Sequence, residues 1–435
     1  MSIRCLAIFL ILPAALANAA EDDSRSAAMA RHKLISGAEA LKTDDRIALL
    51  EKTIKGDPDP GLKIALAKAF LQKLRETGDS GYLKRASTLV ENVLSAQPRF
   101  DPALRLRNEI EMNLHRFPKV VDYAETTLAK DPSDAPALGL LGDALMELGR
   151  YQRAGEIYNR MAALGGNLFS YNRLAYYSFV TGNPDAALGW MSQAIAAGSK
   201  SPENVAWCLS EMGDMLFKVG RTADAHTAYR LALNTFPGYH RAHAGLGRLQ
   251  ASQGKNSEAI QDFLKAQAVV PLPEYAGALE VLFARTGDAE NAARQRALLE
   301  MVDKLMTVNG ETANRTLALI YADAGRNLPR ALALAKAEFE VRNDVYSYDA
   351  LSWVLYKNGD LPEAVKASEK ALALGTPEPS FYFHAGMIAA ANRDPGAARR
   401  HLERALSLNP RFDAGSADLA KKTLNGIGLR AARGQ

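Results

Sequence analysis

Three residues recur at fixed offsets along most of this chain: a small residue, a glycine seven positions later, and an alanine twelve positions later. The stretch "DALSWVLYKNGDLPEAVKASEKALALG" (Asp349–Gly375) carries them as Ser352, Gly359 and Ala364. Gly142, Gly149 and Ala154 repeat the pattern, as do Ala175, Gly182, Ala187; Gly213, Gly220, Ala225; and Gly247, Gly254, Ala259. Ala318 and Gly325 follow, with Ala331 one residue late. Gly386 and Ala398 close the series with Arg393 in the glycine place, and a weaker copy has Gly287 and Ala292 but Glu280 at the small position. Successive units start 33, 38, 34, 33, 38, 34 and 34 residues apart. A fixed period of this length points to an array of stacked units, not to one globule.

Each unit reads as two amphipathic helices, A and B, joined at the glycine, which ends helix A by taking a positive φ without strain. Small side chains in the seam let two helices approach to about 8–10 Å. Large apolar residues such as Leu355, Tyr229, Phe263 and Leu402 fill the remaining grooves. One hairpin buries a single face, while ordering its backbone costs roughly 1–2 kcal/mol per residue, so neighbours must supply the second face.

At these residues the chain resembles the tetratricopeptide repeat family, whose unit length is about 34 residues. Two degenerate copies, Asp101 to Pro132 and Pro60 to Pro98, extend the series. About ten units then lie between Pro60 and Asp413, after an N-terminal helical cap over 20–59 and before a C-terminal capping helix and basic tail over 414–435. The resemblance implies an all-α fold, a right-handed superhelical solenoid of antiparallel helix pairs. It also implies that helices A line a concave groove that holds a peptide or protein segment.

Groove positions fall 2, 5, 9 and 12 residues into each unit. They give Phe169, Asn172, Tyr176 and Phe179, then Trp207, Ser210, Asp214 and Phe217. Arg241, Arg248 and Arg315 follow, and the last group is Tyr346, Asp349, Trp353 and Tyr356. Aromatic and arginine side chains dominate binding hot spots because they bury much area at small entropic cost. Core packing between repeats is the competing role for each. On the groove reading, Trp353→Ala with Tyr356→Ala weakens partner capture and leaves melting nearly unchanged.

The residues offer little for chemistry. His240 and His243 share a helical face, but no carboxylate or cysteine stands near them at ligand spacing, so no metal is expected. His384 reads as a packed core or groove histidine, and Cys208 as a buried structural thiol. "GLGRLQASQG" has no strand before it and is not a dinucleotide loop. The sequon at Asn314 falls inside an expected helix. With no nucleophile elbow, P-loop or zinc signature, no catalytic residue and no cofactor are assigned. The formal net charge of +4, from 53 basic and 49 acidic side chains, gives no electrostatic footprint for nucleic acid. The basic residues after Ala420 read as a solvated tail.

The N-terminus has the form of a secretory signal. One arginine precedes the apolar run Leu6–Ala17, and Ala17 and Ala19 stand at the small positions of a cleavage site. Cleavage near Ala19 is expected; an uncleaved anchor is the alternative. No later segment reaches the 18 apolar residues of a membrane span. Two functions remain open: a secreted or periplasmic scaffold that binds a protein or peptide in its groove, or an accessory module for envelope or exopolysaccharide assembly or export. The sequence sets no oligomeric state.

Overall fold

The structure is a computed structural model that describes residue 26 and residues 28–308 and 313–432. The expected signal segment therefore lies outside the described residues. Those described form helices joined by short turns, with no strand among them. The chain divides into two compact units, Met1–Ile110 and Glu111–Gln435.

The first unit holds α1 (residues 28–38), α2 (Thr43–Gly56), α3 (Pro60–Thr77), α4 (Ser80–Ala96) and most of α5 (Asp101–Asn113). Its core is built from Leu50, Leu62, Leu66, Phe70, Val90 and Leu106. Asp59 caps α3 by accepting from the Gly61 N–H at 2.8 Å, with Pro60 in the first turn where no donor is needed.

The second unit starts with α6 (Phe117–Lys130) and continues in hairpins. These are α7 (Ala135–Glu147) with α8 (Tyr151–Ala163), α9 (Leu168–Val180) with α10 (Pro184–Ala197), and α11 (Pro202–Lys218) with α12 (Thr222–Thr235). Next come α13 (His240–Ser252) with α14 (Asn256–Val269), and α15 (Pro273–Arg285) with α16 (Ala289–Val308). The last are α17 (Arg315–Asp323) with α18 (Leu328–Val341), α19 (Val345–Lys357) with α20 (Leu361–Ala371), and α21 (Pro379–Ala391) with α22 (Pro395–Leu408). Helix α23 (Ala414–Ala432) ends the unit.

The recurring residues do what the period requires. The turn glycines all have positive φ, from 61° at Gly325 to 87° at Gly359, and Arg393 in the glycine place adopts 59°. The late Ala331 follows one added residue, Asn327, which takes φ 48° ahead of α18. Each glycine in the small column of helix A lies beneath a large residue of helix B sixteen positions on: Gly142 under Tyr158, Gly213 under Tyr229, Gly247 under Phe263, Gly386 under Leu402. A Cβ on any of these glycines would collide with that side chain. Glu280 fits the same column because Arg296 and Arg326 bind its carboxylate. Burial pushes that carboxyl up, but the two arginines outweigh it and hold it below its ordinary range. Asn314 caps α17 by accepting from the Leu317 N–H at 2.9 Å, so it sits just ahead of the helix, not inside it.

The second unit also closes on itself. The A–B turns of three consecutive hairpins meet the loops that follow α18, α20 and α22, roughly 195 residues later. The Asn343 N–H donates to the Glu147 carbonyl at 3.0 Å. Thr376 Oγ1 donates to the Val180 carbonyl at 2.6 Å, and Asn409 Nδ2 to the Phe217 carbonyl at 2.7 Å. These carbonyls belong to the last turns of helices A, where the helical ladder runs out, so each loop adds a donor to the end of a distant helix; the Phe217 carbonyl also accepts from the Gly220 N–H at 3.0 Å. Arg342 pairs with Glu147, Lys218 pairs with Glu378 at 2.8 Å, and the Val345 N–H donates to Tyr151 Oη at 2.7 Å along the same line. Val345 and Phe381 join the buried core of α6–α9.

Two substitutions separate close packing from helix propensity. Gly213→Ala puts a Cβ into the Tyr229 ring and is expected to cost about 1–3 kcal/mol. Gly189→Ala, in α10 with nothing within 4 Å of the added carbon, is expected to stabilise by about 0.5–1 kcal/mol. Urea unfolding of each variant against the unmodified chain checks both signs.

Candidate functional site

Helices A place one row of side chains on the inner face of the second unit. Glu211, Asp214 and Lys218 stand on α11, Arg241 and Arg248 on α13, Glu274 on α15, and Arg315 on α17. Lys218 Nζ lies 5.5 Å from the Phe179 ring centre and 5.7 Å from that of Tyr346, and the Arg315 guanidinium lies 5.4 Å from Tyr346. Arg315 Nη1 also bonds Asp344 at 3.0 Å. Side chains from α9, α11, α17 and α19 thus face one another across a narrow space.

The electrostatics describe the same space. The side chains of Glu211, Asp214, Lys218, Arg241, Arg248 and Arg315 all keep contact with solvent. Burial is nonetheless the largest influence on the titration of each. Each of these charges thus has protein packed around it and solvent on one side only. Burial and the neighbouring Asp214 charge raise the Glu211 carboxyl. Burial also opposes the charge on Asp214, but Arg248, Lys218 and the Tyr229 hydroxyl prevail and hold it below its ordinary range. Burial likewise opposes the charges on Lys218 and Arg315, which Glu378 and Asp344 overcome. Tyr346 is pushed up to about 12 by burial, against the pull of Lys218.

A clamp recurs on this wall. Tyr158 Oη donates to Asp143 at 2.9 Å while Arg173 of the next hairpin binds the same carboxylate at 2.7 Å. Tyr229 Oη and Arg248 bind Asp214 in the same way. The Asp–Tyr spacing is 15 residues in both hairpins, a signal available in the sequence and missed there. Lys218, Glu211 and Glu378 were missed too, because they fall outside the four positions read in each repeat; Glu274 holds the second position of the weak copy around Glu280, which was not read for groove residues.

The fifteen residues expected in the groove separate into groups. Tyr176, Arg315 and Tyr346 come together, as do Asp214 and Arg248. Arg241 joins the same wall; its Nη1 approaches Glu211 at 3.7 Å and 48% of its side chain is exposed. Phe169 is exposed at the start of α9. Asn172 Nδ2 lies 4.0 Å from Cys208 Sγ, and Trp207 is half-buried among Val205, Leu209 and Leu233. Cys208 is buried, and burial pushes its thiol up to about 12, as befits a structural cysteine.

Phe179, Ser210, Phe217, Asp349 and Trp353 are packed inside the protein instead of lining an open groove. Trp353 is 4% exposed, stacks on His384 at 4.2 Å and donates from Nε1 to Asp323 at 2.7 Å. Asp349 holds His384 Nδ1 at 2.9 Å, and half-buried Tyr356 packs 5.2 Å from Trp353. Helix A meets the next helix A along the edge these residues occupy, and that contact shuts them in. The two histidines of α13 go to separate partners, His240 Nδ1 to Tyr275 Oη at 2.7 Å and His243 Nδ1 to Asp262 at 3.0 Å.

The tetratricopeptide repeat family model matches residues 110–168, 211–277 and 350–417. Those three stretches carry tetratricopeptide repeats, and they fall on the hairpins just described. A comparison with curated protein sequences finds no match. Among solved structures, the chain is similar to yeast Tom70, with 14% identity, 90% of this chain and 93% of that one covered, and a TM-score of 0.40. It is also similar to a tetratricopeptide repeat protein from Parabacteroides merdae, with 17% identity, 60% and 98% covered, and a TM-score of 0.34. MamA is similar at 23% identity, with 37% and 92% covered and a TM-score of 0.31. At these identities and scores nothing about partners passes to this chain.

The burial of Trp353 reverses the expectation for its replacement. Trp353→Ala is now expected to cost about 3–5 kcal/mol, which a thermal melt of the single variant checks. The two buried histidines give opposite pH dependences. Burial and Arg241 lower His240 to about 4, so its contribution falls as pH drops from 6.5 towards 4. Burial opposes the charge on His384, but Asp349 prevails and raises it. Its stabilisation is complete below 6.5 and lost as pH rises through the raised value. Melting temperature against pH should therefore flatten on the acid side in His240→Gln and on the alkaline side in His384→Gln.

Proposed function

We propose that this protein is a non-enzymatic scaffold that binds an extended peptide or protein segment along the inner wall of its second unit. The repeat fold supports a protein-interaction role, and the wall supplies the finer reading. Arg241 carries it: an arginine with protein packed around it and solvent on one side, nearly half exposed, with its Glu211 neighbour at 3.7 Å. Glu211 and Glu274 beside it accept backbone or side-chain donors, and half-buried Trp207 adds apolar area on the adjoining helix. A wall with both signs of charge and few deep pockets suits a chain that presents its own amides and alternating side chains.

The signal-like N-terminus supports a secreted or periplasmic location. N-terminal sequencing of the exported chain should begin after Ala19; recovery of intact Met1 in the cell interior would overturn that location.

The wall is tested with peptides selected on the unmodified protein from a random-sequence display library. Arg241→Glu should weaken their binding at least about tenfold. The same substitution should leave the melting temperature within about 2 °C, since the side chain holds no core in place. Undiminished binding would remove the inner wall as the site.

A further inference from the structure

The contacts that close the second unit are specific to three of its turn glycines. A Cβ on Gly149 would stand 2.5 Å from the Asn343 carbonyl oxygen, one on Gly182 2.8 Å from that of Leu374, and one on Gly220 2.7 Å from that of Leu408. The equivalent glycines of later hairpins, Gly254, Gly287, Gly325 and Gly359, have nothing within 4 Å of the same position. All seven need glycine for their positive φ, but only the first three need it for close approach. The seam is therefore a second set of contacts, laid over a repeat that does not require it.

Its makeup differs from that of the hairpin cores. Three hydrogen bonds to helix-end carbonyls, two ion pairs and a tyrosine hydroxyl carry it, beside buried Val345 and Phe381 and part-buried Val341, Tyr346, Leu372 and Leu374, which it adds to the core of α6–α9. Water can replace each polar partner when the seam parts, whereas no substitute exists for the ring beneath which Gly213 packs. Lys218 and Tyr346 belong to both the seam and the inner wall, so the two share side chains and adjoin.

We propose that this seam is a releasable latch: its contacts open together while the hairpins on both sides stay folded, and the opening admits a polypeptide chain to the inner wall. The second half rests on the binding role given to that wall; the first does not.

Hydrogen exchange on the full chain tests the first half. The N–H groups of Asn343 and Val345 precede or begin α19, have no partner within it, and are protected by Glu147 and Tyr151 across the seam. They should exchange while interior amides of α18 and α19 remain protected. Gly182→Ala should speed them at least about tenfold, and Gly254→Ala, with the same φ cost and no neighbour, should not. Exchange of these two amides only together with the α19 interior, or equal effects of the two substitutions, would overturn the latch.

The second half uses Lys218→Cys with Glu378→Cys, bridged or left unbridged with a short bis-alkylating reagent, and display-selected peptides as the probe. The bridged form should lose peptide binding at least about tenfold relative to the unbridged one. Equal binding by both would show that the chain enters without release of the seam, leaving the wall as the site. Loss of binding in both, with the Arg241→Glu result also negative, would overturn admission of a chain together with the role it rests on.

Discussion

A large helix-B side chain resting where a helix-A side chain would otherwise be sets the spacing within the hairpins, and in two of them it is a tyrosine ring. At Gly142 and Gly213 the absent Cβ is the space that Tyr158 and Tyr229 occupy. The ring buries a large apolar area, and its hydroxyl reaches the far edge of helix A to bind Asp143 or Asp214. Those carboxylates then receive an arginine from the next hairpin. In these two hairpins one contact thereby fixes the approach of A to B, orients a carboxylate on the inner face, and ties the unit to its successor. Without it the inner wall has no defined chemistry.

The polar character of that wall follows from satisfied, not isolated, charges. A buried carboxylate or guanidinium is costly unless paired, and each clamp supplies both a cation and a hydroxyl donor. The pairing spans neighbouring hairpins, so it reports their relative rotation as well as their distance. Glu280 shows the limit of the design: a carboxylate replaces the small residue, and Arg296 and Arg326 restore the balance from two directions.

Much of this was legible because the period is local. The offsets of seven and twelve located the hairpin turns, and the positive φ of Arg393 and Asn327 shows that even departures from the pattern keep its geometry. The inner face was legible only in part. Helical periodicity tells which side of helix A a residue occupies, which brought Tyr176, Asp214, Arg241, Arg248, Arg315 and Tyr346 to one wall. It does not tell where the neighbouring helix A covers that side, and Trp353 and Asp349 fell under such cover. The division at Ile110 and the meeting of Glu147 with Asn343 were not legible at all. Contacts between residues nearly two hundred positions apart leave no trace in a pattern that repeats every thirty-four.

Those distant contacts alter how the second unit must come apart. A linear array of repeats behaves as a chain of nearest neighbours, able to fray from either end one unit at a time. Here Asn409, next to the final hairpin, is tied to Phe217 near the start, and Thr376 to Val180. Losing the last hairpin therefore withdraws a cap from an early one. The array acquires long-range cooperativity in its melting, and it must close a large loop late in folding, which slows its assembly relative to an open ribbon of the same length.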